Sequence, residues 1–228
     1  MAGDVMLGKV GGRCDGRGGR RLADRAGRCR LGDLYHHLEA GEMDITEAIH
    51  ARRSVKEFTD RRITREEIER LLEAAVQAPN HRMTQPWRFY VLGPESRRGY
   101  GRALGARKAR RVEDEEAARE VLRKVEEKHA SLPAMLAVSV VLDDNPEIRE
   151  EDYAATYMAI ENLSLAAHAA GLGTHLKTGA VMDDPSSRDA VGVPEGERIV
   201  AIIELGEPAS TPDARPRRAA SELTTWVP

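Results

Sequence analysis

Apolar positions along the chain switch between two spacings. From Ile45 to Ala51 they recur as in a short amphipathic helix that ends at Arg52-Arg53-Ser54. Thr64 followed three residues later by Glu67 is the N-cap and capping-box pattern. Ile68, Leu71, Leu72, Ala75 and Val76 continue behind it at helical spacing, and Pro79 stops the helix. Trp87–Leu92 has the β-forming composition of a strand, closed by Gly93-Pro94. Met135–Leu142 is a nearly continuous apolar run with several valines, which predicts a strand buried on both faces. Tyr153–Ala170 is apolar almost all round, so a helix enclosed on several sides is expected there, with Gly171 as its C′ residue. A strand near Thr174–Thr178, a short helix at Pro185–Val191 and a last strand at Arg198–Leu205 complete the pattern, and Gly206 and Pro208 close that strand.

Helices and strands mix here without strict alternation, which indicates an α+β fold rather than a doubly wound one. No repeat and no second domain boundary interrupts residues 43–228. A helix as apolar as Tyr153–Ala170 in a chain of this size suggests burial in a dimer interface, a monomer with a deep core being the alternative. Residues 107–128 carry dense charge of both signs and read as a solvated helix or helical pair, the other reading being a mobile cover over a ligand site. Residues 1–42 differ from the rest: they are rich in Gly and Arg, interleaved with Asp4, Asp15, Asp24 and Asp33, and have little apolar periodicity. A disordered extension or an over-extended gene start is expected there, with the ordered domain beginning at Met43. Contact with RNA through this segment is disfavoured by its near-lack of aromatic residues and its interleaved acids.

Composition narrows the function classes. A length of 228 residues suits one sizeable α/β domain or at most two small ones, and 41% hydrophobic with 32% charged residues fits a globular protein with a highly charged surface. A formal net charge of −3 gives no general attraction to nucleic acid or anionic membrane. The two cysteines, Cys14 and Cys29, both precede residue 43, so the domain can build neither a disulfide framework nor a thiolate metal site. The apolar runs are too short to cross a bilayer, and a reducing cytoplasm is the expected setting.

Familiar catalytic motifs are missing. No GxGxxG lies between a strand and a helix, and there is no Walker loop, HExxH, CxxC or GxSxG. Three polar clusters remain. Arg52-Arg53-Ser54 offers two guanidinium groups and a hydroxyl at a helix end, a set able to hold a phosphate by charge-assisted hydrogen bonds. Residues 78–87, APNHRMTQPW, form a loop pinned by two prolines that carries amide, imidazole and hydroxyl groups. Residues 173–180, GTHLKTGA, include glycines that allow close backbone approach to a ligand.

Together and in this order, the clusters resemble the FMN-dependent nitroreductase family. The similarity spans about four fifths of the chain: RRSVKEF (52–58), APNHRMTQPWRFYV (78–91), GLGTHLKTGA (171–180) and IIELGEP (202–208). The Arg-Arg-Ser start and the AP-x-H…QPW-x-F loop most resemble its compact, single-domain branch. The resemblance implies an α+β fold with a mixed sheet flanked by helices, in an intertwined homodimer that holds two FMN molecules at the subunit interface. It further implies that Arg52, Arg53 and Ser54 hold the FMN phosphate and ribityl chain, and that Gln77 and His81 contact the FMN of the opposite subunit. Leu176, Lys177 and Thr178 match the stretch beside the isoalloxazine and cofactor tail, with Lys177 placed to stabilise negative charge on the reduced ring. Thr224-Thr225-Trp226 looks like the tail that members wrap over the partner subunit. The implied activity is ping-pong hydride transfer from NAD(P)H through FMN to a nitroaromatic, a quinone or a similar small acceptor, without a side-chain nucleophile or general base. The alternatives are a flavin-dependent dehalogenase, a flavin-consuming enzyme of the same fold, or a non-catalytic FMN-binding module.

Overall fold

Asp44 accepts hydrogen bonds from the backbone N–H groups of Thr46 and Glu47 and so starts α1 (Ile45–Ala51) in the computed structural model, which describes residues 43–228. The expected Arg/Gly-rich extension 1–42, with Cys14, Cys29 and the RNA contact considered for it, lies outside the described residues. Arg53 closes the other end of α1, its Nη1 donating to the His50 carbonyl at 2.7 Å. Both halves of the capping box between Thr64 and Glu67 are formed at the start of α2 (Arg65–Ala75), which buries Ile68, Leu71 and Ala75 as its spacing predicts.

Strands β1 (Trp87–Val91), β2 (Ala134–Val141), β3 (Gly173–Lys177) and β4 (Glu197–Gly206) form a four-stranded sheet in the order β1-β2-β4-β3. All three strand pairings are antiparallel. The parallel element of the expected mixed sheet is confined to a single bridge between Ser54 and Thr174. Central strands β2 and β4 are buried on both faces, which accounts for their continuous apolar sequences. On one face Leu136, Val138, Ile203 and Leu205 pack with Ile68 and Leu71 of α2 and with Ile160 and Leu163 of α5 (Pro146–Ala169). On the other, Met135, Ala137, Ile199 and Ile202 pack with Tyr100 of α3 (Pro94–Ala109) and Val191 of α6 (Pro185–Val191). Each such fully buried aliphatic side chain contributes roughly 1.5–3 kcal/mol.

Two helices depart from the sequence pattern. Helix α3 is not anticipated, because its glycines mimic breaks in periodicity; in the fold they are contact surface. A Cβ at Gly101 would lie 2.9 Å from the Cβ of His129, so glycine lets α3 lie directly against α4 (Glu115–Ala130). The charged segment 107–128 accordingly divides into the last turn of α3, a break, and α4, whose N-cap is Asp114 and whose one buried residue is His129. Helix α5 begins about two turns earlier than expected, with Asn145 capping it and Pro146 in its first turn. It buries Ala155, Ala159, Ile160 and Leu163 and leaves Tyr157 and Met158 exposed. Among the described residues no helix is long and apolar enough to cross a membrane.

Candidate functional site

The end of α1 delivers Arg52, Arg53 and Ser54 to the outer edge of β3. Ser54 bridges Thr174, and the Val55 N–H donates to the Thr174 carbonyl at 2.9 Å. Beyond β4 the chain doubles back along the same segment: Phe58 bridges Pro208, and the Ala209 N–H donates to the Glu57 carbonyl at 3.0 Å. That return brings Ser210, Arg215 and Arg217 across from Arg52 and Arg53. A cleft of about 930 Å³ opens between them, with Ile49, His50, Lys56, His175 and Leu176 completing much of its wall. Five Arg and Lys side chains face two carboxylates, Glu57 and Asp213, so the cleft suits an anion. Leu176, 41% exposed, and Ile49 supply apolar surface beside the charges.

Two nitrogens near this cleft are buried without hydrogen-bond partners among the described residues. One is Arg52 Nε, which has Glu161 Oε1 at 3.4 Å in ion-pair range but forms no hydrogen bond. The other is His168 Nε2 in the last turn of α5. Burial, and then the charges of Arg52 and Arg53, hold the His168 ring below the ordinary histidine pKa, so it is neutral at pH 7. The guanidinium of Arg52, which lines this basic cleft, offers a charged donor to a bound anion. A smaller hollow of about 530 Å³ along α4 is walled chiefly by charged side chains, among them Arg123 and Glu120, which pair with each other.

Of the sequence-predicted residues, Arg52, Arg53, Ser54 and Leu176 meet in the cleft. Gln77 and His81 do not line it; both are exposed, and His81 Nδ1 sits 2.9 Å from Glu151 Oε2. Thr178, also exposed, follows the end of β3 outside the lining. Lys177 belongs to the face of β3 opposite Leu176. Its ammonium donates to Glu204, a wholly buried carboxylate on β4, and to Nε2 of His129 at 3.1 Å. The Lys177 charge is therefore met inside the chain.

This buried cluster has a definite proton arrangement. His129 Nδ1 donates to the Val125 carbonyl at 2.7 Å, which leaves Nε2 as the acceptor for Lys177. Burial is the main cause that brings the His129 pKa down to about 4, so the ring is neutral at pH 7 and its 3.5 Å approach to Glu204 is not an ion pair there. Burial pushes Glu204 upward, but the hydrogen bond from His175 and the charge of Lys177 outweigh it and bring the carboxyl to about 2. Burial lowers the Lys177 ammonium, opposed by Glu204.

Lys56, Arg215, Arg217 and His175 also line the cleft without having been singled out in the sequence. The Arg-x-Arg spacing at 215–217 was the available signal, since alternate positions of an extended tail point the same way.

The Nitroreductase family model matches residues 49–207. Over 174 residues the chain is 32% identical to YfhC of Bacillus subtilis (strain 168), provisionally named an NAD(P)H nitroreductase; the match covers 76% of this chain and 89% of that relative. A nitroreductase-like family protein from Bacillus cereus superposes with a TM-score of 0.72 at 29% identity, covering 82% of this chain and 97% of that one. A candidate nitroreductase from Desulfovibrio desulfuricans, solved in complex with FMN, superposes with a TM-score of 0.62 at 25% identity, covering 82% and 98% respectively. With most of its length matched by the family model and its fold shared with these structures, the chain belongs to the nitroreductase family.

Proposed function

We propose that this protein is an FMN-dependent oxidoreductase that draws electrons from NAD(P)H and delivers them to a small oxidised acceptor such as a nitroaromatic or a quinone. The observation that carries the reading is the basic cleft, where Arg52, Arg53 and Ser54 face Arg215 and Arg217 and an apolar wall lies alongside. Its donors suit the phosphate and ribityl hydroxyls of FMN: paired guanidinium groups for the phosphate, and hydroxyls at Ser54 and Ser210. Leu176 and Ile49 offer surface against which a flat ring can pack. FMN, when bound, supplies the hydride and electron chemistry. The chain's own part is to hold the anionic tail and shield the ring from water, and the reading names no side-chain acid or base.

The same reading includes a homodimer. Ile45 and Ile49 on α1, Val76 after α2, and Tyr157 and Met158 on α5 are large apolar side chains 40% or more exposed in the single chain. Trp226, 90% exposed, leaves the C-terminal tail free to pack on a second copy. Gln77 and His81, set apart from their own chain's cleft, are then available to the cofactor of the partner. The expected setting is the cytoplasm, where NAD(P)H is abundant.

The test is a visible absorption spectrum of the purified protein, followed by anaerobic addition of NADPH or NADH. A bound-flavin spectrum that bleaches on addition is the expected result, with reoxidation by a quinone or nitroaromatic. A folded protein that stays colourless and fails to retain added FMN overturns the reading. A protein that binds FMN but is not reduced by either nucleotide is a binding module instead.

A further inference from the structure

His175 occupies a position that the resemblance did not single out. It follows Thr174, the bridge partner of Ser54, and lines the cleft together with Arg52, Arg53 and Ser54. Its ring is not free to turn. In the register of the sheet His175 stands directly opposite Glu204, and its Nδ1 lies 2.9 Å from Glu204 Oε2. A carboxylate can only accept, so Nδ1 carries the proton of that bond. The carboxylate is itself fixed, being wholly buried, with its other oxygen taken by Lys177, which also donates to His129. The chain of contacts runs from His129 of α4, through Lys177 and Glu204, to a side chain on the edge strand. At its end the His175 side chain is 19% exposed, and Nε2 has no partner among the described residues.

Burying a carboxylate is costly unless it is paired and hydrogen-bonded, and Lys177 alone would balance the charge. The third link, to His175, does something charge balance does not require: it fixes the orientation and tautomer of a ring in the wall of the cleft. In the tautomer that donates from Nδ1, the lone pair lies on Nε2. The cleft already holds Arg52, Arg53, Lys56, Arg215 and Arg217 to meet a phosphate, and what those cations cannot do is accept a hydrogen bond.

We infer that His175 is a further cofactor-contacting residue, whose Nε2 accepts a hydrogen bond from a ribityl hydroxyl of the flavin, and that Glu204 is the positioning residue that holds it there. The inference rests on the FMN reading above and deepens it.

Fluorescence titration of the full chain with FMN and, separately, with riboflavin tests it, since riboflavin has the ribityl hydroxyls and lacks the phosphate. His175→Ala is expected to weaken both ligands by about five- to tenfold. An effect within about twofold on both overturns the contact, and weakening of FMN alone overturns the hydroxyl assignment in favour of the phosphate. Glu204→Gln keeps the side-chain shape; with the Gln oxygen held by Lys177, its amide meets Nδ1 as a donor and drives the proton to Nε2. Ring 15N shifts of His175 are expected to report that exchange of tautomers. Flavin affinity is expected to fall in the Glu204→Gln protein but no further when the substitution is added to His175→Ala. Equal, additive weakening in both backgrounds overturns the positioning role, as does an unchanged His175 tautomer. Wild-type protein that is folded by circular dichroism and binds neither flavin sinks the FMN reading and this inference together. Wild-type binding with unaltered His175→Ala binding sinks this inference alone.

Discussion

Gly173 and Val55 lie so close that a Cβ built on the glycine would come within 2.7 Å of both Cβ and Cγ2 of the valine. The contact sits one residue from the bridge between Ser54 and Thr174, so it sets how tightly the Arg52–Ser54 segment is drawn onto β3. Gly173→Ala is expected to cost about 1–3 kcal/mol by overpacking and to weaken FMN binding by displacing Ser54. Adding Val55→Ala makes room and is expected to recover most of both losses. Urea unfolding and flavin titration of the two variants check this; a Gly173→Ala protein as stable as wild type would contradict it.

Arg52 brings a guanidinium to the wall of the cleft. Arg52→Ala is expected to weaken FMN by about 10- to 100-fold, the range for a hydrogen bond to a charged group. Arg52→Lys should recover only part of this, because a point charge cannot reproduce the guanidinium fork. Riboflavin affinity, measured in parallel, should change much less.

Lys177 is the partner that makes a buried Glu204 tolerable. Lys177→Met strands the carboxylate and is expected to cost about 3–5 kcal/mol in chemical denaturation. Combining it with Glu204→Gln removes the stranded charge and is expected to restore more than half of that loss. A double variant no more stable than Lys177→Met would show that the pair is not energetically coupled.

Acid should act on the same cluster in two stages. His129 in the fold takes up a proton only near pH 4, whereas the unfolded chain does so near 6.5, so the unfolded state binds more protons between those values. Stability is therefore expected to fall as pH drops from about 6.5 to 4, by on the order of 2–3 kcal/mol from this group. Glu204, whose folded pKa is depressed to about 2, adds a second loss between about 4.5 and 2. His129→Leu is expected to flatten the upper stage and leave the lower one, as read from denaturation midpoints across pH.

Ile49 lies both on the cleft wall and, 57% exposed, on the apolar face of α1. Ile49→Arg on that face is expected to shift the protein from dimer to monomer in size-exclusion chromatography with light scattering, and to lower flavin retention with it. A monomeric wild-type protein that retains FMN would contradict the dimeric reading.

Much of this architecture is written in local pattern. The α2 cap, the doubly buried β2 and β4, and the short α6 follow from capping residues and apolar runs whose periodicity survives in the fold. Helix α3 is hidden because its glycines serve packing against α4 rather than chain freedom, and local propensity cannot distinguish the two uses. The Arg-Arg-Ser cluster was visible as charge at a helix end. Arg215 and Arg217 were not, because they reach the cleft only through the return of the chain after β4. Period-2 alternation along β3 puts His175 and Lys177 on one face and Leu176 on the other, yet His175 and Leu176 both line the cleft at the sheet edge while Lys177 turns inward to Glu204. The pairing of Lys177 with Glu204 across β3 and β4 is a matter of sheet register.

The bridge between Ser54 and Thr174 joins segments separated by most of the described chain, and the tail that completes the cleft is attached later still. Closing so long a loop is slow, because its entropy must be spent before the contact returns anything. The cleft is therefore expected to be among the last features to form as the protein refolds, after both faces of the sheet have their helices. Recovery of flavin binding in a refolding experiment consequently marks the final assembly step, and is expected to lag behind the return of helical circular dichroism.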